Sequence, residues 1–248
     1  MPSGTDTSTE ECLRKATQAD SSGARAKYAT RGLARTTDPT MRAMLLRQLY
    51  LSHMEAERFA EAGEIARAAL ELGVMPDVAC QDLARAYLGL GRKREAVEEL
   101  RRASRVGPAS RRAFHLWTLG SVLYFEGDYP AACKAFERAA RWGTTAKPLY
   151  EAQLTLARLA GGEEPRGEEL AVLRADLEAA PCGRGYGRLV LGELASRQSD
   201  WKAARAFLEE FIERTDAGRV ALRVGLSAEL KRARTLLASL PVEAAAKL

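Results

Sequence analysis

Residues 113–139 read AFHLWTLGSVLYFEGDYPAACKAFERA. Apolar residues recur here with the helical period rather than with alternation, so the stretch favours helix over strand. Gly127 interrupts the run at its middle, where glycine tolerates the backbone of a tight turn. Gly120 and Ala132 are small residues on either side of that turn, and they let two helices approach closely. The local unit is therefore a helix–turn–helix hairpin.

The same register returns along the chain. It reappears 36 residues earlier in Leu83, Ala84, Tyr87, Gly91, Ala96, Leu100, Ala103 and Pro108, and earlier still in Leu49, Tyr50, His53, Ala62, Ala66 and Ala69. It reappears 72 residues later in Leu191, Gly192, Ala195, Ala204, Leu208 and Phe211, with an aromatic held in place at Phe59, Tyr129 and Trp201. Four matches in one register define an internal repeat, and a hairpin of this kind must stack on its neighbours to bury its apolar face.

The pattern resembles the tetratricopeptide repeat, whose signature is W-x2-L-G-x2-Y followed by Ala, Phe, Ala and a closing Pro. Leu119, Gly120, Gly127, Tyr129, Ala132, Phe136 and Ala139 carry it best. Tyr50 stands where a small residue belongs, and Phe211 replaces the last Ala of its unit. The resemblance implies an all-α, right-handed solenoid of helical hairpins over roughly residues 43–240. Repeats one to five start near Ala43, Asp77, Ala113, Lys147 and Gly185, and the repeat region ends near residue 218. The fourth is the least regular, with an enlarged turn at Gly161–Pro165. Residues 1–8 and 241–248 read as tails. Short helical patterns at Thr9–Gln18 and Gly23–Ala34 suggest a degenerate N-terminal pair within residues 9–42, and Asp38-Pro39 is a helix start. Arg219–Leu240 reads as one amphipathic capping helix, with Glu229, Lys231, Arg232 and Arg234 as its polar outer face.

In this family the first helix of each hairpin lines a concave groove that receives a peptide or helix. By resemblance the groove positions are Met44, Arg47, Leu51 and Met54 in repeat one, and Val78, Gln81, Arg85 and Leu88 in repeat two. They are Phe114, Trp117, Ser121 and Tyr124 in repeat three, and Tyr186, Leu189, Glu193 and Ser196 in repeat five. Five of the 16 aromatics fall between Phe114 and Tyr129, which centres the expected partner site on Trp117; Trp, Tyr and Arg are typical binding hot spots. The competing reading of Trp117 and Tyr124 is internal packing. The carboxylate clamp of some family members uses Asn side chains, and this sequence contains no Asn.

The net charge of +5 is local. Arg92, Lys93, Arg94, Arg101, Arg102, Arg105, Arg111 and Arg112 face only Glu95, Glu98 and Glu99 in one 21-residue segment, and the remainder sums to zero. This basic face supports an alternative reading, a regulatory module that binds nucleic acid or an acidic partner surface. The simpler reading is a solvated helix with pairs one turn apart.

Other classes lack support. The four Cys and two His are too scattered for a zinc site. Gly183–Gly187 has no preceding strand and no phosphate-loop Lys-Ser/Thr, so it reads as a turn into repeat five. Cys182 is expected to be the most exposed thiol, without a base to activate it. The longest stretch without charge, Ala113 to Phe125, is too short to span a bilayer, and the N-terminus is not a secretory signal. The expectation is a cytoplasmic, non-enzymatic adaptor without cofactor or metal. Its heavy use of Arg over Lys is associated with GC-rich bacterial genomes. Its partner is a protein or peptide, or a second copy of the chain.

Overall fold

The computed structural model describes residues 8–164 and 168–241, and every regular element among them is helical. The two terminal tails, apart from Ser8 and Pro241, lie outside the described residues, as does part of the expected turn after Gly161. Contacts divide the chain within one helix into two compact units, Met1–His115 and Leu116–Leu248.

The first unit stacks hairpins in chain order. Helices α1 (Thr9–Gln18) and α2 (Ser22–Leu33) form the N-terminal pair; α3 (Pro39–Glu55) with α4 (Phe59–Glu71) and α5 (Pro76–Gly89) with α6 (Lys93–Val106) form repeats one and two. Caps fix the starts. Ser8 accepts from the Glu11 amide, Ser21 from that of Ala24, and Asp38 from that of Met41 at 2.7 Å, ahead of Pro39. The N-terminal pair belongs to the stack. Arg25 and Glu55 form a buried ion pair at 2.9 Å, and Ser52 Oγ donates to the Ser22 carbonyl at 2.7 Å.

Helix α7 (Ala109–Phe125) enters the second unit, followed by α8 (Tyr129–Trp142), α9 (Lys147–Ala160), α10 (Glu169–Ala179), α11 (Gly187–Arg197) and α12 (Trp201–Asp216). The small residues serve close packing. A side chain at Gly120 would stand 2.6 Å from the Phe136 ring, and one at Gly192 would stand 2.7 Å from Leu208. The Gly183–Gly187 stretch is a turn, with a 3-10 segment at Pro181–Gly183 leading into α11.

Each of the five repeat hairpins turns at a left-handed residue: Glu57, Gly91, Gly127, Gly162 and Ser199. The expected repeat starts precede these corners by a nearly constant interval. Gly91 and Gly127 announce the corner in the sequence. Glu57 and Ser199 hold it against their Cβ atoms, so those two turns carry no glycine signal.

The single capping helix expected over Arg219–Leu240 is instead two helices, α13 (Val220–Gly225) and α14 (Ser227–Ser239), parted at Leu226. Gly225 weakens the helix there, but packing decides the break. Leu230, Ala233 and Leu240 join Leu208 and Phe211 in the core of the second unit, whereas α13 buries nothing. Each fully buried leucine contributes about 1.5–3 kcal/mol, so docking selects the orientation of α14. The expected polar outer face also divides. Arg234 pairs with Asp216 at 2.7 Å, while Arg232, still partly exposed, reaches Glu193.

Candidate functional site

The groove positions differ in character between the two units. In the first, Arg47 is exposed, and Met44, Leu51, Val78, Arg85 and Leu88 are half-buried. Only Met54 and Gln81 are buried. Arg47 Nε stands 3.4 Å from Asp82 Oδ2. Arg85 also acts on Asp82, but burial outweighs both guanidinium groups and pushes that carboxyl up to about 6. Tyr50, the bulky departure from the repeat pattern, is buried at 3% exposure, and its hydroxyl has no partner among the described residues.

In the second unit the corresponding side chains engage one another. Trp117 donates from Nε1 to Gln153 of α9 and packs edge-on against Tyr186, with ring centres 4.8 Å apart. Tyr186 faces Ser121 and Gln153, and burial raises its pKa well above the ordinary phenol value. Tyr124 is buried and donates to Glu193 Oε2 at 2.7 Å, while Arg232 of α14 donates to Glu193 Oε1 at 2.9 Å. Leu189 is buried, Ser196 is half-buried, and Phe114, on α7 within the first unit, is 39% exposed. Trp117, Tyr124 and Tyr186 thus sit within one network of α7, α9, α11 and α14.

A tetratricopeptide-repeat family profile matches residues 78–108, which are α5, α6 and the residues closing repeat two. Two solved structures share the fold. Yeast Tom70 is 16% identical with a TM-score of 0.59 over 92% of this chain, and the chain spans only 47% of Tom70. A tetratricopeptide repeat protein from Parabacteroides merdae is also 16% identical, with a TM-score of 0.57 over 95% of this chain and 94% of its own. No curated protein matches the sequence.

Residues 78–108 match a tetratricopeptide repeat, and the chain shares the fold of tetratricopeptide-repeat proteins.

Within this tetratricopeptide-repeat fold the basic residues differ in their partners. Arg92 pairs with Glu95 at 2.7 Å and stacks on Tyr87, with 4.5 Å between guanidinium and ring centre. Arg102 lies 3.9 Å from Glu99. Arg111 forks onto Asp77 at 2.6 and 2.9 Å. Lys93 and Arg112 also have interactions. Arg94, Arg101 and Arg105 remain exposed along α6. Their seven- and eleven-residue spacing places them on one helical face.

No nearby residue in the chain stands out as a partner for His115, and the fold supplies two. His115 Nε2 is 2.8 Å from Asp77 Oδ2, both residues are 1% exposed, and Arg111 completes the cluster. Burial works to raise the Asp77 pKa, but Arg111 and then His115 hold it below the ordinary value. Residues 34 and 38 apart in the chain meet only because consecutive hairpins stack, so no local motif marks them. Asp82 was likewise missed, since it is one polar residue inside an apolar helical run.

Among the described residues no group of three His, Cys, Asp or Glu could hold a metal ion, and no helix is long and apolar enough to cross a membrane. Cys12 and Cys80 are buried, and burial pushes the Cys80 thiol up to about 12. Cys133 and Cys182 are both half-buried, so Cys182 is not set apart by its class of exposure.

Proposed function

We propose that the chain is a cytoplasmic adaptor that binds a peptide or helix of a partner protein along the first helices of its repeats. One observation carries this reading. Repeats one and two leave Met44, Arg47, Leu51, Arg85 and Leu88 partly open on α3 and α5, a mixture of apolar and arginine side chains suited to a protein partner. Within the second unit, Trp117, Tyr124 and Tyr186 stay proposed as groove positions of their own repeats, with Trp117 and Tyr186 half-buried. The test is capture of partners from the native cell by the wild type and by a Leu51→Lys, Leu88→Lys variant. Lysine at half-buried positions can lead its charge to water along its alkyl stem, which spares the fold. The variant is expected to keep its helical circular dichroism and lose its partners; retention of the same partners rejects the groove.

A second reading rests on Arg94, Arg101 and Arg105, which line one exposed face of α6 with no acidic partner among the described residues. They support binding of an acidic surface or nucleic acid by charge. Retention on heparin that weakens steeply with salt, and is lost on reversing all three charges, is the expected outcome. Retention indifferent to salt removes this reading.

A further inference from the structure

The acidic side chains of α3 and α5 are withdrawn from the surface. On α3 the acid is Glu55, whose side chain is 8% exposed and is held by Arg25. On α5 the acids are Asp77 and Asp82. Asp77 is 1% exposed and is shared by Arg111 and His115, and Asp82 is 13% exposed beside Arg47.

The arginines of the same two helices are more open. Arg42 donates to the Leu33 and Thr36 carbonyls. The Arg47 side chain is half exposed, and its closest approach to Asp82 is an Nε contact at 3.4 Å. Arg111, by contrast, forks onto Asp77 at 2.6 and 2.9 Å. Arg85 acts on Asp82 by charge alone; among the described residues it forms no hydrogen bond or ion pair. One nearly buried carboxylate thus serves two guanidinium groups, and the open face of α3 and α5 keeps a surplus of positive charge. Helical spacing sets Met44 and Leu51 on either side of Arg47, and Leu88 one turn beyond Arg85. All three apolar side chains are half-buried.

We propose that this face receives a partner segment in which an acidic side chain stands beside bulky apolar ones; the assignment rests on the protein-binding reading above and names the chemistry it selects. The acid lies on the solvent side of the two helices and accepts from Arg47 and Arg85. Its apolar neighbours cover Met44, Leu51 and Leu88. A guanidinium group offers several N–H donors in a planar fork, so it can hold Asp82 by charge and an incoming carboxylate by hydrogen bonds together. Complementary charge of this kind sets specificity more than strength. The carboxylate belongs to a side chain, so no free C-terminus is required.

A library of random peptides, displayed with both ends joined to the carrier, is selected on the full chain at low salt. Selected segments are expected to carry Asp or Glu beside Leu, Ile, Met or Phe. Changing that acid to its amide should weaken binding about three- to fivefold, and less as salt is raised. A triple variant, Arg47→Gln, Arg85→Gln and Asp82→Asn, removes both cations without stranding a nearly buried carboxylate. With its helical circular dichroism retained, it should select apolar segments without acid preference. Wild-type selection of no segment, selection without enrichment of Asp or Glu, an amide that binds as well as the acid, or the same acid preference in the triple variant overturns the proposal. Failure of the adaptor reading is distinguished by Leu51→Gln, Leu88→Gln, which leaves the charge unchanged and should bind the selected segments about tenfold more weakly. Full binding by that variant rejects the groove itself, whatever the acid preference.

Discussion

Glu57 and Ser199 occupy backbone that glycine holds at the equivalent corners of repeats two, three and four. A side chain in this left-handed region costs about 1–2 kcal/mol, partly offset by the entropy glycine loses on folding. Glu57→Gly should therefore raise stability by about 0.5–1 kcal/mol, and Gly91→Ala should lower it by about 1 kcal/mol, in urea titration. The two buried aspartates act oppositely with pH. Asp77 has a lowered pKa, so the stability it contributes is present above the usual carboxylate value and is lost as acid protonates it. Asp82 has a raised pKa of about 6, so the folded state takes up its proton first and stability falls as pH rises from 4 to 6. Above pH 7, Asp82→Asn should stabilise the protein by about 1–3 kcal/mol, with the advantage vanishing below pH 4. A thermal melt series across pH checks this, and a variant less stable than wild type at neutral pH contradicts it.

At the scale of elements, α14 is held to the second unit by apolar contacts and by Arg232, which meets Glu193 beside Tyr124. Arg232→Ala leaves a carboxylate with 5% exposure and no cation, which should cost about 2–3 kcal/mol. That is less than for a fully buried pair, because Arg232 itself is 42% exposed. Denaturant melts of the variant, and of Glu193→Gln with Arg232→Met, separate the lost pair from the stranded charge. The helical hairpins were legible in sequence because they rest on short-range facts: the periodic apolar residues, Gly91 and Gly127 at turns, and Asp38-Pro39 at a cap. The break at Leu226 was not legible. The apolar spacing runs through it unchanged, and only docking of Leu230, Ala233 and Leu240 onto α12 selects two helices over one. The Asp77, Arg111 and His115 cluster was hidden for the same reason, since stacking brings together what the sequence separates.

For the whole molecule, the sequence reading centred recognition on the aromatics around Trp117. The fold ties Trp117 to Gln153, and Tyr124 to Glu193, while the same positions of repeats one and two remain more open. Repeat spacing identifies which face a residue belongs to; it does not report whether a neighbouring helix already occupies that side chain. The adaptor reading thus depends most on α3 and α5. Side-by-side capture from the native cell, with folded wild type and folded Leu51→Lys, Leu88→Lys protein at equal concentration, tests it most directly. Binding along α3 and α5 requires a specific protein retained by the wild type and lost from the variant; a variant that retains the same protein to the same extent contradicts it.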